Sequence, residues 1–459
     1  MKTRNPRNVE LFLLVFSLVI AMAAYASVGI AHDGELPAGM VGYGGGLAVL
    51  FVAAHLALRR FAPDADPLLL PCVTMINGLG LAMIHRIDLA LGDRAAASGS
   101  SYAPAAPPQL TWTAVGVILF IAVLVVVRDH RILQRFTYTA MLGGLVLLLL
   151  PLLPVIGTTI NGARIWIHLA GFSFQPGELA KLALLVFFAG YLVIKRDVLA
   201  LASRRVAGID LPRGRDLGPI IVAWAASLAV LVFERDLGTS LLFFGAFVAL
   251  LYVATERLSW LLIGIALFLS GSFLAWSLFG HVKQRVDIWL DPTAHYNDVV
   301  GGSYQLMQGL YGMGTGGILG KGLGQGRPDI VPYANTDFIV AAIGEELGLT
   351  GLMAVLLVYA IVVQRGMRTS IGVRDAFGKL LAAGLSFSMA LQVFVVVGGV
   401  TRLIPLTGLT MPFLSYGGSS LVSNWALVAL LLRISDAARR PAPPPASSLQ
   451  DDKTQVVRL

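Results

Sequence analysis

The side chains able to do chemistry stand at the edges of long apolar runs. The stretch DPTAHYNDVVGGSYQL, 291–306, carries Asp291, His295 and Asp298. Glu178 and Lys181 lie in QPGELAKL, Arg235 and Asp236 in FERDLGTS, Asp337 in NTDF, and Glu345 and Glu346 in IGEELG. Arg164, Trp166 and His168 fall in NGARIWIHLAGFSFQPGE. Cations of this kind suit an anionic group such as a lipid-linked phosphate. A carboxylate on a loop suits a general base, or a ligand for a divalent ion that carries phosphate. Glu178 and Lys181, three apart, share one helix face. Local roles compete with each of these readings. Pro176 followed by Glu178 favours a helix start, Asn335 or Thr336 could cap the next helix, and Arg235–Asp236 could be a charged turn. His281 and His295 read as solvated loop residues.

Other chemistries are excluded by pattern. The glycine-rich GLYGMGTGGILGKGLGQG fails the phosphate-loop pattern, which would need Gly at Thr315 and Ser or Thr at Gly322. There is no His/Cys cluster with zinc spacing and no G-x-S-x-G elbow.

The elements that position these residues are set by composition. The chain is 56% apolar and 13% charged, against roughly 25% charged for soluble domains. About twelve runs approach the roughly 20 apolar residues needed to cross a bilayer: near 9–31, 39–57, 68–90, 110–127, 136–156, 176–194, 217–233, 238–254, 259–279, 338–364, 377–398 and 419–434. Such lengths exclude a transmembrane barrel and leave an all-α polytopic membrane protein. The first run is too long for a signal-peptide core and is kept as a helix.

Lys and Arg gather in alternate loops: 2–7, 59–60, 128–135, 195–215, 365–374 and 433–440. By the positive-inside rule both termini are cytoplasmic. This distribution also argues against a nucleic-acid partner for the net charge of +8. The segments 92–109, 157–175, 234–237, 280–337 and 399–418 then face outward. The large extracytoplasmic loop 280–337 is too long for a plain connection, and VKQRVDIWL and SYQLMQGLYGM within it read as short interfacial helices. Residues 1–66 form a two-helix extension, 67–435 the transmembrane core and 436–459 a disordered cytoplasmic tail. The residues alone leave two classes open: a transferase acting on a lipid diphosphate at the outer surface, or a transporter of such a lipid.

NGARIWIHLAGFSFQPGELAKLALLVFFAGYL, ERDLGTSLLFF, GGSYQLMQGLYGMGTGGILGKGLGQG, PYANTDFIVAAIGEELGLTG and PLTGLTMPFLSYGGSSL resemble, in order and spacing, the SEDS (FtsW/RodA/SpoVE) family. The resemblance runs from about residue 68 to 434. It implies a ten-helix core, here preceded by two helices as in high-GC Gram-positive bacteria. It also implies a peptidoglycan glycosyltransferase that polymerises lipid II with a class B penicillin-binding protein, among other elongasome or divisome membrane proteins. A lipid II flippase or a non-catalytic scaffold are the alternatives. The family's essential loop acid falls on Asp298, with Asp291 as rival. Arg164, Trp166, Glu178, Lys181, Arg235, Gln305 and Asp337 inherit substrate-binding positions, and Mg2+ or Mn2+ is the expected divalent cofactor. The family's H-T-D-F is NTDF here, with Asn335 in place of the imidazole, and its QPSELAK is QPGELAK. ERDLGTSLLFF and the short tail favour the RodA-like, elongation side.

Overall fold

The structure, a computed structural model, describes residues 6–440 except 155, 161–162, 170–171, 201–203, 207–208, 212–216 and 299–301. Within them, ten helices are long and apolar enough to cross a membrane, and the shorter apolar helices 137–152 and 218–230 accompany them. Two helices form the extension: α1 (Pro6–Asp33) and α2 (Met40–Phe61). The core opens with α3 (Leu69–Ala97), α4 (Ala106–Val126), the short α5 (Ile132–Arg135) and α6 (Thr137–Leu149). It continues with α7 (Pro176–Ala200), α8 (Gly218–Phe233), α9 (Leu237–Thr255) and α10 (Leu258–Leu278). Then come α11 (Gly280–Leu290), α12 (Tyr304–Gly316), α13 (Ile339–Glu346), α14 (Gly348–Gly372), α15 (Ala376–Val400) and α16 (Gly418–Arg439).

Helix starts follow sequence chemistry. Proline opens α4, α7 and α8, where its missing N–H costs nothing. Asp236 caps α9 by accepting from Thr239 N at 2.9 Å, and Asp375 caps α15 by accepting from Gly378 N at 2.7 Å. The middle of the bundle is α16, the most enclosed of the spans. Its Trp425 takes Phe120 and Phe413 edge-on, each at 5.6 Å. Gly116 of α4 lies flat against the Trp425 ring, where a Cβ would come within 2.4 Å of it. Small residues permit such approach in lipid, where water drives no helix together.

Three differences from the sequence reading have physical causes. The apolar run 338–364 is not one helix but α13 and α14, broken at Leu347–Gly348. Gly348 holds φ +69°, and a Cβ there would lie 2.2 Å from Gly320 N, so the glycine-rich loop occupies the space a continuous helix would need. That loop is sewn down by Glu345 and Glu346. Glu346 accepts from Gly324 N (2.9 Å) and Arg86 Nε (2.9 Å), and Glu345 from Lys321 Nζ (3.0 Å) and Arg327 N (3.0 Å). Second, 157–175 contains an antiparallel sheet, β1 (Gly157–Ile160), β2 (Ala163–Leu169) and β3 (Phe172–Phe174), with Thr158 opposite Trp166 and Ile167 opposite Phe174. Gly162 lies outside the described residues. A small hairpin, β4 (Arg204–Val206) and β5 (Ile209–Leu211), stands in the basic loop. Third, α16 continues through Arg439, past the expected start of the tail at 436. Asp436 binds Arg440 (2.7 Å) and Asp64 N (2.9 Å); the rest of the expected tail, 441–459, lies outside the described residues.

The same face joins extension to core. Asp66, in the linker after α2, receives Arg365 (2.7 Å) and Arg439, and Arg433 donates to the carbonyls of Phe61 and Leu124. Buried Glu10 of α1 pairs with Arg7 and with His55 of α2 (2.6 Å). His130 and Asp375 meet here too, at 2.8 Å. The opposite face carries the sheet, the α8–α9 turn, the large loop and 401–417.

Candidate functional site

On the large-loop face, six elements bring polar side chains together. Glu178 and Lys181, in the first turns of α7, are both buried and paired at 2.8 Å. Lys181 Nζ also donates to Gln392 Oε1 of α15 (2.9 Å), whose amide donates to Thr410 O (2.9 Å). Ser423 of α16 fixes the α7 start by donating to Glu178 O (2.6 Å). Beside this pair lie Asp236 at the α9 cap, Arg285 of α11 and Asp337 just before α13. Arg285 donates to Leu406 O at 2.7 Å and feels both acids.

Burial governs the protonation of these groups. It raises the Asp236 carboxyl above its ordinary value, against the pull of the Thr239 hydroxyl and amide and of Arg285. Asp337 is pushed up to about 6 by burial, against hydrogen bonds and Arg285. Burial pulls the Arg285 guanidinium down while Asp236 and Asp337 draw it back. Glu234, at the α8–α9 turn, is pushed up to about 8 by burial, with Asp236 adding to the effect.

The loop acids differ sharply. The Asp291 carboxylate is spent on a local turn: one oxygen accepts from Thr293 N (3.1 Å), Thr293 Oγ1 (2.6 Å) and Ala294 N (3.1 Å). These bonds, the Thr293 hydroxyl foremost, hold it below the usual carboxylate range. Asp298 is half-exposed and bonds through Oδ2 to His295 Nδ1 at 2.8 Å. Its turn is closed by Ser303 N donating to His295 O (3.0 Å) and by Gly302, where a Cβ would come within 2.6 Å of Asp298 O.

The expected site residues divide in two. Glu178, Lys181 and Asp337 belong to the cluster. Arg164, on β2, instead donates to Pro151 O (3.1 Å) and Leu153 O (3.3 Å) in the turn that follows α6, and its own N–H bonds Glu234 O (3.1 Å). Trp166 stands half-buried on β2. Arg235 is exposed in a left-handed turn (φ +58°), and its neighbour Asp236 points inward. Gln305 donates to Pro332 O at 2.9 Å, bracing α12. Asn335 and Thr336 do not cap α13; their carbonyls instead accept from Tyr416 N (2.7 Å) and Ser415 Oγ (2.5 Å).

Sequence reasoning missed Arg285, Asp236 as the inward acid, Gln392 and His295. Two signals were present. Arg285 is three residues from Val282 and from Ile288, which puts a cation on the packed face of an amphipathic helix. Gln392 is a lone amide in an apolar span, which lipid makes costly unless it is paired.

Next to the cluster an apolar cavity of about 600 Å³ opens among α6, α7, α8 and α9, lined by Leu145, Leu148, Leu184, Phe187 and Phe243, with Glu234 at its edge. No group of three or more His, Cys, Asp or Glu among the described residues is arranged to hold a metal ion.

Fold and site together define a multi-pass helical membrane protein with an ion-paired polar cluster on one face and an apolar cavity beside it. The family model for FtsW, RodA and SpoVE, described as cell cycle protein, matches residues 67–440, and the chain belongs to that family. It is 53% identical over 436 residues to the peptidoglycan glycosyltransferase RodA of Mycobacterium tuberculosis H37Rv, covering 95% of this chain and 92% of that one. It is 32% identical over 388 residues to stage V sporulation protein E of Bacillus subtilis 168, covering 84% and 100%. Among solved structures it resembles a chain from work on the structural coordination of polymerization and crosslinking by a peptidoglycan synthase complex. There the TM-score is 0.56 at 27% identity, over 87% of this chain and 98% of that one.

Proposed function

We propose that this chain is a peptidoglycan glycosyltransferase that polymerises lipid II at the outer face of the cytoplasmic membrane, with both termini cytoplasmic. The observation that carries this is the 53% identity over nearly the whole chain to a protein of that named activity. The geometry supports it. An apolar cavity suits a polyprenyl chain, buried Lys181 and half-buried Arg285 suit its diphosphate, and a half-exposed carboxylate, Asp298, stands on the large loop.

The reaction is a single displacement at the donor's anomeric carbon. The acceptor sugar's hydroxyl oxygen forms the new bond, its proton passes to Asp298, and the bond to the lipid diphosphate breaks with inversion. Such base catalysis is worth about 10²–10⁴-fold. The diphosphate leaves as an anion, so no general acid is needed; Lys181 and Arg285 stabilise its charge. Glu178 and Gln392 hold Lys181 in place, and Arg164, Trp166 and Arg235 line the approach. Asp291, committed to its turn, is not the base. Mg2+ or Mn2+ would come with the diphosphate rather than wait in a protein cage, in keeping with the few protein ligands magnesium sites use. A class B penicillin-binding protein is the proposed partner, by analogy with the solved synthase complex, and an elongation role follows the RodA resemblance.

The test is the purified full chain, with and without the partner, given lipid II and Mg2+. Glycan strands on a gel are expected. Transfer of fluorescent lipid II across a vesicle bilayer with no polymer would make it a flippase; neither outcome, with intact partner binding, would make it a scaffold.

A further inference from the structure

The mechanism above uses Asp298 but leaves the imidazole bonded to it without a task. His295 Nδ1 lies 2.8 Å from Asp298 Oδ2, three residues away on the same turn. The arrangement is built rather than incidental. Asp298 N approaches His295 O at 3.4 Å, and Ser303 N donates to the same carbonyl at 3.0 Å. A Cβ on Gly302 would fall within 2.9 Å of His295 O. The ring and the carboxylate both stay in reach of solvent, with side-chain exposures of 36% for His295 and 51% for Asp298.

We infer that His295 is a positioning residue that sets the pH at which Asp298 can act as base. Neutral imidazole donates Nδ1–H to Oδ2 and leaves Oδ1 to receive the sugar hydroxyl proton. Imidazolium holds the carboxylate in an ion pair and weakens it as a proton acceptor, because an adjacent positive charge favours the ionised acid. The titratable groups facing His295 are Asp298 and Asp291 on its own turn, with Asp291 feeling its charge. Tyr304 of α12 packs against the neighbouring Tyr296 with the rings tilted, centroids 5.6 Å apart. Unperturbed imidazole titrates at about 6.5 and carboxylates at about 4, so the acid side of the rate profile distinguishes which group controls it. This inference rests on Asp298 being the base.

The experiment is lipid II polymerisation by the full-length protein with its partner, measured from pH 5 to 9 for the wild type, His295→Gln, His295→Ala and Asp298→Asn. The Gln amide can still donate to Asp298 but cannot acquire charge. The wild type is expected to lose activity on the acid side of the profile as the imidazole becomes charged. His295→Gln should move that limb down by about two pH units, so that it outperforms the wild type at pH 5.5. His295→Ala should be slower at every pH, with the limb also lowered. A His295→Gln profile that superimposes on the wild type, or is depressed equally at all pH values, overturns the inference while leaving Asp298 as base. An active Asp298→Asn protein overturns the assignment of the base and this inference with it.

Discussion

Neutralising Glu178 separates a pair held for catalysis from one held for stability alone. Glu178 and Lys181 are both buried, 6% and 4% exposed, and joined at 2.8 Å. Glu178→Gln keeps the shape and leaves an ammonium whose remaining strong acceptor is Gln392 Oε1. Breaking a buried pair by removing one partner costs about 3–5 kcal/mol, because the surviving charge is uncompensated. Lys181→Met leaves Glu178 in the same position and should cost a similar amount. The double variant, Glu178→Gln with Lys181→Met, buries no charge, and replacing both members of such a pair is often neutral or stabilising by about 1–4 kcal/mol. Fluorescence-detected thermal unfolding in detergent should therefore show each single variant melting several degrees below wild type and the double variant returning close to it, a coupling that distant sites do not show. Polymerisation should not return, since the cation for the diphosphate is gone. Losses that simply add in the double variant would refute the pair as an electrostatic unit. A double variant that polymerises lipid II at the wild-type rate would refute Lys181 as a phosphate cation.

Further expectations follow from other parts of the molecule. Glu234 is pushed up to about 8, so the folded protein binds a proton there more tightly than the unfolded chain, and stability falls as pH rises from about 4.5 to 8. Glu234→Gln should remove part of that fall, so melting curves at pH 5.5 and 8.5 should lie closer together than in wild type. Gly320→Ala forces a Cβ to 2.3 Å from Glu346 O at φ +82°, whereas Gly317→Ala, at φ +57°, meets open space. The first should melt well below wild type; the second meets no clash but should also lose stability through backbone strain, because Gly317 at ψ −141° sits in a region that glycine alone adopts readily. EDTA should stop polymerisation without lowering the melting temperature if the divalent ion travels with the substrate, and a large drop in melting temperature would point to a resident ion.

Much of the fold was legible because lipid imposes a coarse rule. A helix that crosses it needs a long apolar run, and the runs near 9–31, 39–57 and 377–398 coincide with α1, α2 and α15. The break inside 338–364 was hidden because its cause is distant: backbone from Gly320 occupies the space at Gly348. The sheet at 157–174 was hidden by brevity, although the alternation in ARIWIHL carries a strand signal. At the site, residue type proved easier to read than direction. Glu178 and Lys181 were placed by their spacing on a helix that exists. Arg164 and Arg235 carry the expected charge, but one is used on carbonyls just beyond α6 and the other faces outward, while Arg285 supplies a half-buried cation. Chain direction at a turn decides such matters, and at Arg235 a left-handed residue does so. His295 read as a solvated loop residue because it stands isolated in the sequence, where the turn that brings it to Asp298 is not visible.

The assignment of Asp298 as the base is tested most directly by the rate of lipid II polymerisation by purified Asp298→Asn protein beside Asp291→Asn, each bound to the same partner. The structure predicts that Asp298→Asn loses at least about a hundredfold, while Asp291→Asn, which disturbs only a turn that asparagine can also form, stays within a few-fold of wild type. The reverse order, or an Asp298→Asn enzyme with undiminished rate, would contradict it.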